Sequence, residues 1–186
     1  MSDRLPPIPD AELTPIQAQA KAGVLQGARG VFEGPFIPLL RSPALMQRLE
    51  KVGAYLRYES SLSGHIREFA ILFTARRYRQ QVEWAIHHPI ALREGVTPAV
   101  ITALAEGRRP DPLRDDEAAA YAFLTELETN RSVSDATYAQ AVRHFNEAGV
   151  IDLIAIAGYY GLLAMVMNTA RTPAPAGDQT ILQPLP

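Results

Sequence analysis

Apolar side chains recur at intervals of three and four along most of the chain, which predicts helices that each bury one face. The repeat is clearest in two central stripes, which consist of Ile66, Phe69, Ala70 and Phe73 and of Val82, Ile86 and Ile90. Alternation of apolar and polar residues, the mark of a half-buried strand, does not recur in this way. The pattern therefore predicts an all-α bundle.

Helix boundaries are marked by capping residues. A hydroxyl residue before a proline favours a helix start in the pairs Thr14-Pro15, Ser42-Pro43 and Thr97-Pro98. Glycine tolerates the left-handed conformation that ends a helix, and apolar repeats end at Gly95, Gly107 and Gly149. The predicted helices are residues 11–28, 43–57, 64–78, 80–94, 98–106, 116–129, 135–148 and 150–170.

Both ends of the chain depart from the helical pattern, because proline fixes φ and lacks a donor. We therefore predict an N-terminal extended arm, a single helical domain and a proline-rich C-terminal arm at residues 1–13, 14–171 and 172–186. The C-terminal arm carries the apolar residues Ile181, Leu182 and Leu185. They favour an arm that lies on a neighbouring subunit, with a frayed terminus as the alternative.

Composition narrows the function. The chain has 186 residues, 47% apolar and 20% charged, which suits one domain with a sizeable core. Its 18 basic and 20 acidic residues leave a formal charge of -2, and no basic run is present, so we expect no nucleic-acid partner. There is no cysteine, which excludes disulfides, thiolate metal sites and cysteine nucleophiles.

The first ten residues contain acid and proline where a signal peptide needs a basic start and an apolar run, so we expect a cytoplasmic protein. The stretch most like a membrane span runs from Val150 to Met167. Asp152 lies near its start, and two glycines and two tyrosines interrupt its middle. We therefore expect no membrane partner.

Residues suited to proton transfer collect on two consecutive predicted helices. Gln80, Glu83 and His87 are spaced three and four apart, so they share one face of the second helix. Glu68 lies among apolar neighbours on the first helix. If the helices pack antiparallel, Glu68 approaches Glu83 and His87, and two carboxylates around one imidazole form a proton-transfer site.

Two other interpretations stay open. Glu83 and His87 can form an ordinary surface pair, with Glu68 paired to a nearby arginine. Alternatively, His65 and Glu68 on one helix and Glu83 and His87 on the next form a two-histidine, two-carboxylate set that resembles metal sites in helical bundles.

The window REFAILFTARRYRQQVEWAIHHPIALREGVT resembles the signature of the carboxymuconolactone decarboxylase family, within the alkylhydroperoxidase-D-like superfamily. That signature reads R-E-x-A-I-L, then E-W-x-x-H, then A-x-x-x-G-(V/L)-(T/S). The segment LPPIPDAELTPIQ resembles the N-terminal extension of longer bacterial members, and residues 133–170 resemble their last two helices. The resemblance implies an all-helical protein that assembles as a dimer, trimer or hexamer.

Relatives that reduce peroxides carry a glutamate, a Cys-x-x-Cys pair and a histidine on these two helices. The resemblance aligns them with Glu68, Gln80, Glu83 and His87. Because peroxide reduction needs the thiols, we expect no thiol peroxidase activity. The resemblance favours the decarboxylase-like branch, whose members are cofactor-free lyases that remove carbon dioxide from a carboxylated butenolide lactone in aromatic catabolism. A non-catalytic ligand-binding or structural member is the alternative.

On this hypothesis Glu83 and His87 shuttle a proton to carbon, while Glu68 orients His87 or shares its charge. The substrate is a small anionic organic molecule, either a carboxylated lactone or a keto acid. We assign its binding to Gln80 as a donor to the carbonyl, Arg76 or Arg77 as anion binders, Trp84, and a phenol from Tyr159 or Tyr160. The alternative for these residues is structural, as core filling for the aromatic side chains and a solvated turn for the arginines.

Overall fold

The computed structural model describes residues 2–27, 30–175 and 182, and within these ranges every regular element is a helix. A 3₁₀ turn at Asp10–Glu12 is followed by α1 (Pro15–Gln26), α2 (Phe36–Leu39), α3 (Pro43–Tyr58), α4 (Gly64–Arg77), α5 (Gln81–Arg93), α6 (Pro98–Ala105), α7 (Asp115–Asn130) and α8 (Asp135–Ala170). The all-α prediction is confirmed. The short α2 was not predicted, and α1 begins later than predicted because the 3₁₀ turn precedes it.

Most boundaries follow from the capping residues. The side chains of Thr14 and Thr97 each accept a hydrogen bond from the backbone N–H three residues ahead, which fixes the starts of α1 and α6. Ser42 precedes α3 without making such a bond. Gly95 and Gly107 have φ values of 89° and 74°, as residues that end helices do.

The helix end predicted at Gly149 is wrong. The break in α8 lies at Asn146, whose φ of 55° and ψ of 179° interrupt the helix. The Oδ1 of Asn146 accepts a hydrogen bond from the backbone N of Gly149 at 3.0 Å, so it caps the second segment of α8. Glycine is needed at 149 for space, because a Cβ there would lie 2.8 Å from the Cβ of Phe145 and 3.2 Å from Leu62.

Helix α4 is the centre of the bundle. It packs against α5, α6, α7 and α8, and residues 68–76 are all buried. A helix with protein on every side has no solvent-facing stripe, so each polar side chain on it needs a partner inside the protein. This position determines where Glu68 can lie.

The N-terminal arm lies on the domain of its own chain. The backbone N of Arg4 donates to the carbonyl oxygen of Ala170 at 2.7 Å. The guanidinium of Arg41, just before α3, donates to the carbonyl oxygens of Leu5 and Pro6 at 3.1 and 2.5 Å. These bonds satisfy backbone groups of an arm that makes no regular helix or strand of its own there.

Leu182 is the described part of the distal C-terminal arm. It is 4% exposed, and its backbone N and O each form a 2.9 Å hydrogen bond with the side chain of Gln81 at the start of α5. Leu182 thus lies on its own chain, and the predicted contact of the arm with a neighbouring subunit stays a prediction. The predicted contacts of Ile181 and Leu185 lie outside the described residues.

Among the described residues, α8 alone is long and apolar enough to cross a membrane by length and composition. Its most apolar window has a mean hydropathy of 2.0, and 56% of that window is buried inside the protein. Asp152 within this segment accepts hydrogen bonds from Tyr55, Ser60 and Ser61. Burial in the bundle accounts for the apolar character of this helix.

Candidate active site

Three buried ionisable side chains converge where α4 packs against α5. The Nδ1 of His87 lies 2.7 Å from the Oε2 of Glu68, and its Nε2 lies 3.7 Å from the Oε2 of Glu83. Each of the three is 2% exposed. A short turn in which Arg79 has a φ of 51° reverses the chain between the two helices and brings them together. We call these three residues the Glu–His–Glu cluster.

The two imidazole nitrogens of His87 have different surroundings. An ionised carboxylate only accepts hydrogen bonds, so the bond to Glu68 places a proton on Nδ1. Nε2 is close enough to Glu83 for charge attraction but too far for a hydrogen bond. Glu68 therefore orients the ring, and Nε2 is the nitrogen that can exchange a proton with a ligand.

Burial rules out the surface-pair interpretation of the cluster. A solvated Glu–His pair four residues apart contributes a few tenths of a kcal/mol and leaves its polar atoms in water. Here Glu83 and His87 lie inside the bundle with Glu68 against the ring. Buried polar side chains are retained when they are hydrogen-bonded to each other, as Glu68 and His87 are.

A tyrosine of α8 completes the surroundings of the imidazole. The ring of Tyr160 lies perpendicular to that of His87, with the ring centroids 5.1 Å apart. It is 3% exposed, and within the described ranges its hydroxyl has no hydrogen-bond partner. Burial and the nearby charges of Glu83 and Glu68 raise the pKa of Tyr160 well above its ordinary value, so the phenol stays protonated and can donate.

The other two aromatic candidates fill the core. Tyr159 packs against α3, where a Cβ on Gly53 would lie 2.3 Å from its hydroxyl oxygen. Trp84 is 2% exposed within the hydrophobic core. Of the two tyrosines that the sequence offered, Tyr160 is therefore the one placed against the imidazole, and the structural alternative fits Tyr159 and Trp84.

Gln80 caps α5 and ties it to α8. Its Oε1 accepts from the backbone N of Val82 at 2.5 Å, and its Nε2 donates to the Oδ1 of Asn168 at 2.8 Å. Asn168 in turn donates to the carbonyl oxygen of Tyr78 at 2.8 Å. The amide that was assigned to a substrate carbonyl is thus engaged within the protein. Asn168 was missed, although a lone amide in an apolar helix is a signal for such a bond.

The two arginines face other helices. Arg77 donates from Nε to Glu128 on α7, and its guanidinium lies 5.4 Å from the ring centroid of Phe73. Arg76 is 3% exposed and lines a small void beside Gly107, just beyond α6, and burial lowers its pKa. The side chain of Arg77 therefore pairs with Glu128 of α7 and is not part of the Glu–His–Glu cluster.

His65 belongs to a second buried pair, which rules out the four-residue metal set. Its Nε2 lies 2.8 Å from the Oε1 of Glu117 on α7, and its Nδ1 lies 3.1 Å from the carbonyl oxygen of Glu94. In the ranges that the structure describes, no three or more metal-ligating side chains are grouped closely enough to hold an ion. Glu117 was missed, although its place three residues after Arg114 is that of a capping-box glutamate.

The structure is similar to a crystal structure described as an alkylhydroperoxidase AhpD core, an uncharacterized peroxidase-related protein from Ralstonia eutropha JMP134. The TM-score is 0.75, and the match covers 98% of this chain and 97% of that chain. The chain has the alkylhydroperoxidase-D fold. The two proteins are 19% identical, which shows the fold alone. No protein-family model matches the sequence, and a comparison with curated proteins finds no match.

The comparison confirms the fold that the resemblance implies. Membership of the alkylhydroperoxidase-D-like superfamily, and of its carboxymuconolactone decarboxylase branch, stays a prediction. In this alkylhydroperoxidase-D fold, the positions that the resemblance aligns with two cysteines are occupied by Gln80 and Glu83. The side chains at these positions are therefore an amide, which caps α5, and a carboxylate, where the peroxide-reducing relatives carry thiols. The site therefore has the groups for proton transfer and lacks those for thiol chemistry.

Proposed function

We propose that this protein is a cofactor-free lyase of the carboxymuconolactone decarboxylase type, which transfers a proton to or decarboxylates a small carboxylated lactone or keto acid. The observation that carries the proposal is the position of the His87 imidazole between two buried carboxylates. Its Nδ1 is hydrogen-bonded to Glu68, whereas its Nε2 is beyond hydrogen-bond distance from Glu83. The proposal places the protein in the cytoplasm as a homo-oligomer that acts on one small anionic substrate.

The chemistry needs a proton donor and a site for negative charge. In a decarboxylation, the bond between the carboxylate carbon and its neighbour breaks and carbon dioxide leaves. The electron pair moves into the conjugated carbonyl, and the resulting enolate takes up one proton at carbon. The enzyme must hold the proton close to that carbon and provide a hydrogen bond to the enolate oxygen.

The Glu–His–Glu cluster can supply the proton. Glu68 holds the ring through Nδ1, so a protonated His87 delivers the proton of Nε2 to the substrate carbon. Glu83, on the Nε2 side, then passes the next proton to the ring. The substrate must approach from the side of Glu83 because Glu68 occupies the other nitrogen.

Tyr160 can supply the hydrogen bond to the enolate oxygen. Its hydroxyl is buried beside His87 and has no partner in the described part of the chain. Burial of a hydroxyl without a hydrogen-bond partner costs folding free energy, because the hydroxyl loses its bonds to water. An enolate oxygen bound beside it would accept a hydrogen bond and offset that cost. In this role Tyr160 takes over the donor function that the sequence assigned to Gln80.

The non-catalytic alternative also has an observation in its favour. The His65–Glu117 pair shows that a buried histidine and glutamate can bridge helices of this protein without any site chemistry, because both ring nitrogens of His65 have partners within the protein. The pair of Glu68 and His87 differs from it at one atom, since the Nε2 of His87 lies 3.7 Å from Glu83, beyond hydrogen-bond distance.

These two pairs make a matched experiment. Wild type, His87→Asn and His65→Asn are incubated with a panel of lactone and keto carboxylic acids, and carbon dioxide release and deuterium entry from heavy water are measured. The asparagine amide keeps an N–H donor near the position of Nδ1, but it has no group at the position of Nε2. We expect turnover in the wild type and in His65→Asn, and a loss of at least about a hundredfold in His87→Asn, within the usual range for a general acid. Silence of the wild type on every acid would favour the non-catalytic alternative.

A further inference from the structure

A cavity of about 250 Å³ lies between the end of α4, α7 and the second segment of α8. We call it the α7 cavity. Its apolar wall includes Phe73, Leu124 and Leu127, and none of the residues that line it belongs to the Glu–His–Glu cluster. A small cavity with a mostly apolar wall and a few polar groups at one side is typical of ligand sites.

The polar side of the α7 cavity carries one positive charge in excess. Arg77 and Glu128 line it as an ion pair and neutralise each other. Arg131 also lines it, and its guanidinium makes no hydrogen bond or ion pair within the part of the chain that the structure describes. Its backbone N donates to the carbonyl oxygen of Leu127 at 2.9 Å, and this bond holds the backbone from which the side chain extends. The net charge suits one anionic group.

Gly158 opens the wall of the α7 cavity. It lies inside the second segment of α8, where glycine is less stable than alanine by about 0.5–1 kcal/mol. A Cβ at this position would meet no described atom within 4 Å, so neighbouring side chains do not require the glycine. This contrasts with Gly149 and Gly161 on the same helix, where a Cβ would lie 2.8 Å from Phe145 and 3.1 Å from Tyr78.

We propose that the α7 cavity binds a small monocarboxylate with an apolar body. The carboxylate pairs with Arg131, and the hydrocarbon part lies against the wall formed by Phe73, Leu124 and Leu127, with Gly158 leaving room for it. The volume is below the usual lower limit of about 300 Å³ for drug-sized ligands, which points to a molecule of the size of benzoate or hexanoate. This site is separate from the cluster and does not depend on the function proposed above.

Calorimetric titration with benzoate and hexanoate tests the proposal, with benzamide and hexanamide as neutral counterparts. We expect the acids to bind more tightly than the amides and more weakly as salt is added. Arg131→Gln should weaken binding of the acids about tenfold or more, the value for losing one charged hydrogen bond. Arg109→Gln, a change at another exposed arginine, should bind as the wild type does.

Gly158→Leu provides a second test by filling the α7 cavity, and we expect it to abolish binding while the helical circular dichroism is retained. Gly23→Leu is its control, because Gly23 is a helical glycine outside the cavity where a Cβ also meets nothing within 4 Å. Equal affinity for acids and amides, no binding at all, or unchanged binding by Arg131→Gln or Gly158→Leu would overturn the proposal. So would loss of binding in His87→Asn alone, since the acid would then lie at the cluster.

Discussion

The Nδ1 of His87 lies 2.7 Å from the Oε2 of Glu68, and this bond joins α4 to α5 at a depth where both side chains are 2% exposed. It fixes the orientation of the ring and directs Nε2 toward Glu83. The same bond stabilises the packing of the two helices, so its removal affects folding as well as any chemistry at the site.

Removal of the Glu68 carboxylate tests that bond. Glu68→Ala leaves the Nδ1 of His87 buried without its acceptor, and we expect a loss of about 1–3 kcal/mol in the free energy of unfolding. Urea titration followed by circular dichroism measures it. Glu12→Ala, in the exposed N-terminal arm, should change stability by less than about 0.5 kcal/mol. Equal effects of the two changes would show that the bond contributes nothing.

Tyr160→Phe should have the opposite effect on stability. The change removes a buried hydroxyl that has no partner among the described residues, so we expect unfolding free energy to stay constant or rise by about 1 kcal/mol. Tyr55→Phe is the matched control, because the hydroxyl of Tyr55 donates to Asp152 at 3.1 Å and its loss should destabilise the protein. A marked loss of stability in Tyr160→Phe, measured by urea titration, would mean that the hydroxyl is bonded in the protein.

Asp152 predicts a pH dependence of stability. Burial raises its pKa, but hydrogen bonds from the backbone of Ser61 and from the hydroxyls of Ser60, Ser61 and Tyr55 outweigh it and hold the pKa below its ordinary value. A lowered pKa in the folded state stabilises the protein above the unfolded pKa of about 3.9, and this contribution is lost as the pH falls through the folded value. We therefore expect Asp152→Asn to cost about 1–3 kcal/mol at neutral pH.

The unfolding free energies of Asp152→Asn and wild type must also be compared in acid, to test whether the contribution of Asp152 is lost as the pH falls. Urea titrations from pH 7 down to pH 3 should show the difference between the two proteins shrinking below about pH 4. A difference that stays constant over this range would mean that the charge of Asp152 does not contribute. Asp3→Asn, the same change in the partly exposed N-terminal arm, serves as the control.

Two glycines of α8 should respond in opposite directions to the same substitution. Gly149→Ala places a Cβ 2.8 Å from the Cβ of Phe145, and we expect it to lower stability by about 1–3 kcal/mol. Gly158→Ala places a Cβ in open space and should raise stability by about 0.5–1 kcal/mol, because alanine is the better helix former. Thermal unfolding followed by circular dichroism compares them, and the same sign for both would contradict the packing described here.

The sequence predicted the helices well because their signals are local. Apolar repeats, hydroxyl caps and the glycines at 95 and 107 act within one or two turns. Gly149 misled the prediction, because a glycine required for close packing is indistinguishable in sequence from one that ends a helix. Asn146, the true break, has the residue type that tolerates a left-handed backbone but lies within an otherwise helical pattern.

The candidate site was predicted less completely than the fold. Spacing placed Gln80, Glu83 and His87 on one face, but the approach of Glu68 depends on the angle and separation of two helices, which spacing does not determine. Neighbouring positions on a helix point in different directions. The pairing of Arg77, at the end of α4, with Glu128 of α7 could therefore be predicted only from the packing of the helices. The pairing of His65 with Glu117 joins residues 52 positions apart, and local pattern carries little information at that distance.

The burial of α4 on every side has a consequence for how this protein can change. Residues 68–76 are buried on all sides, so this part of α4 cannot unfold locally. Its amide hydrogens should exchange with deuterium only when the whole domain unfolds. A helix of this kind is the least tolerant place for new side chains. Divergence toward other substrates would therefore proceed through the exposed positions of α5, which carries Glu83 and His87, and of α8, which places Tyr160 against the imidazole.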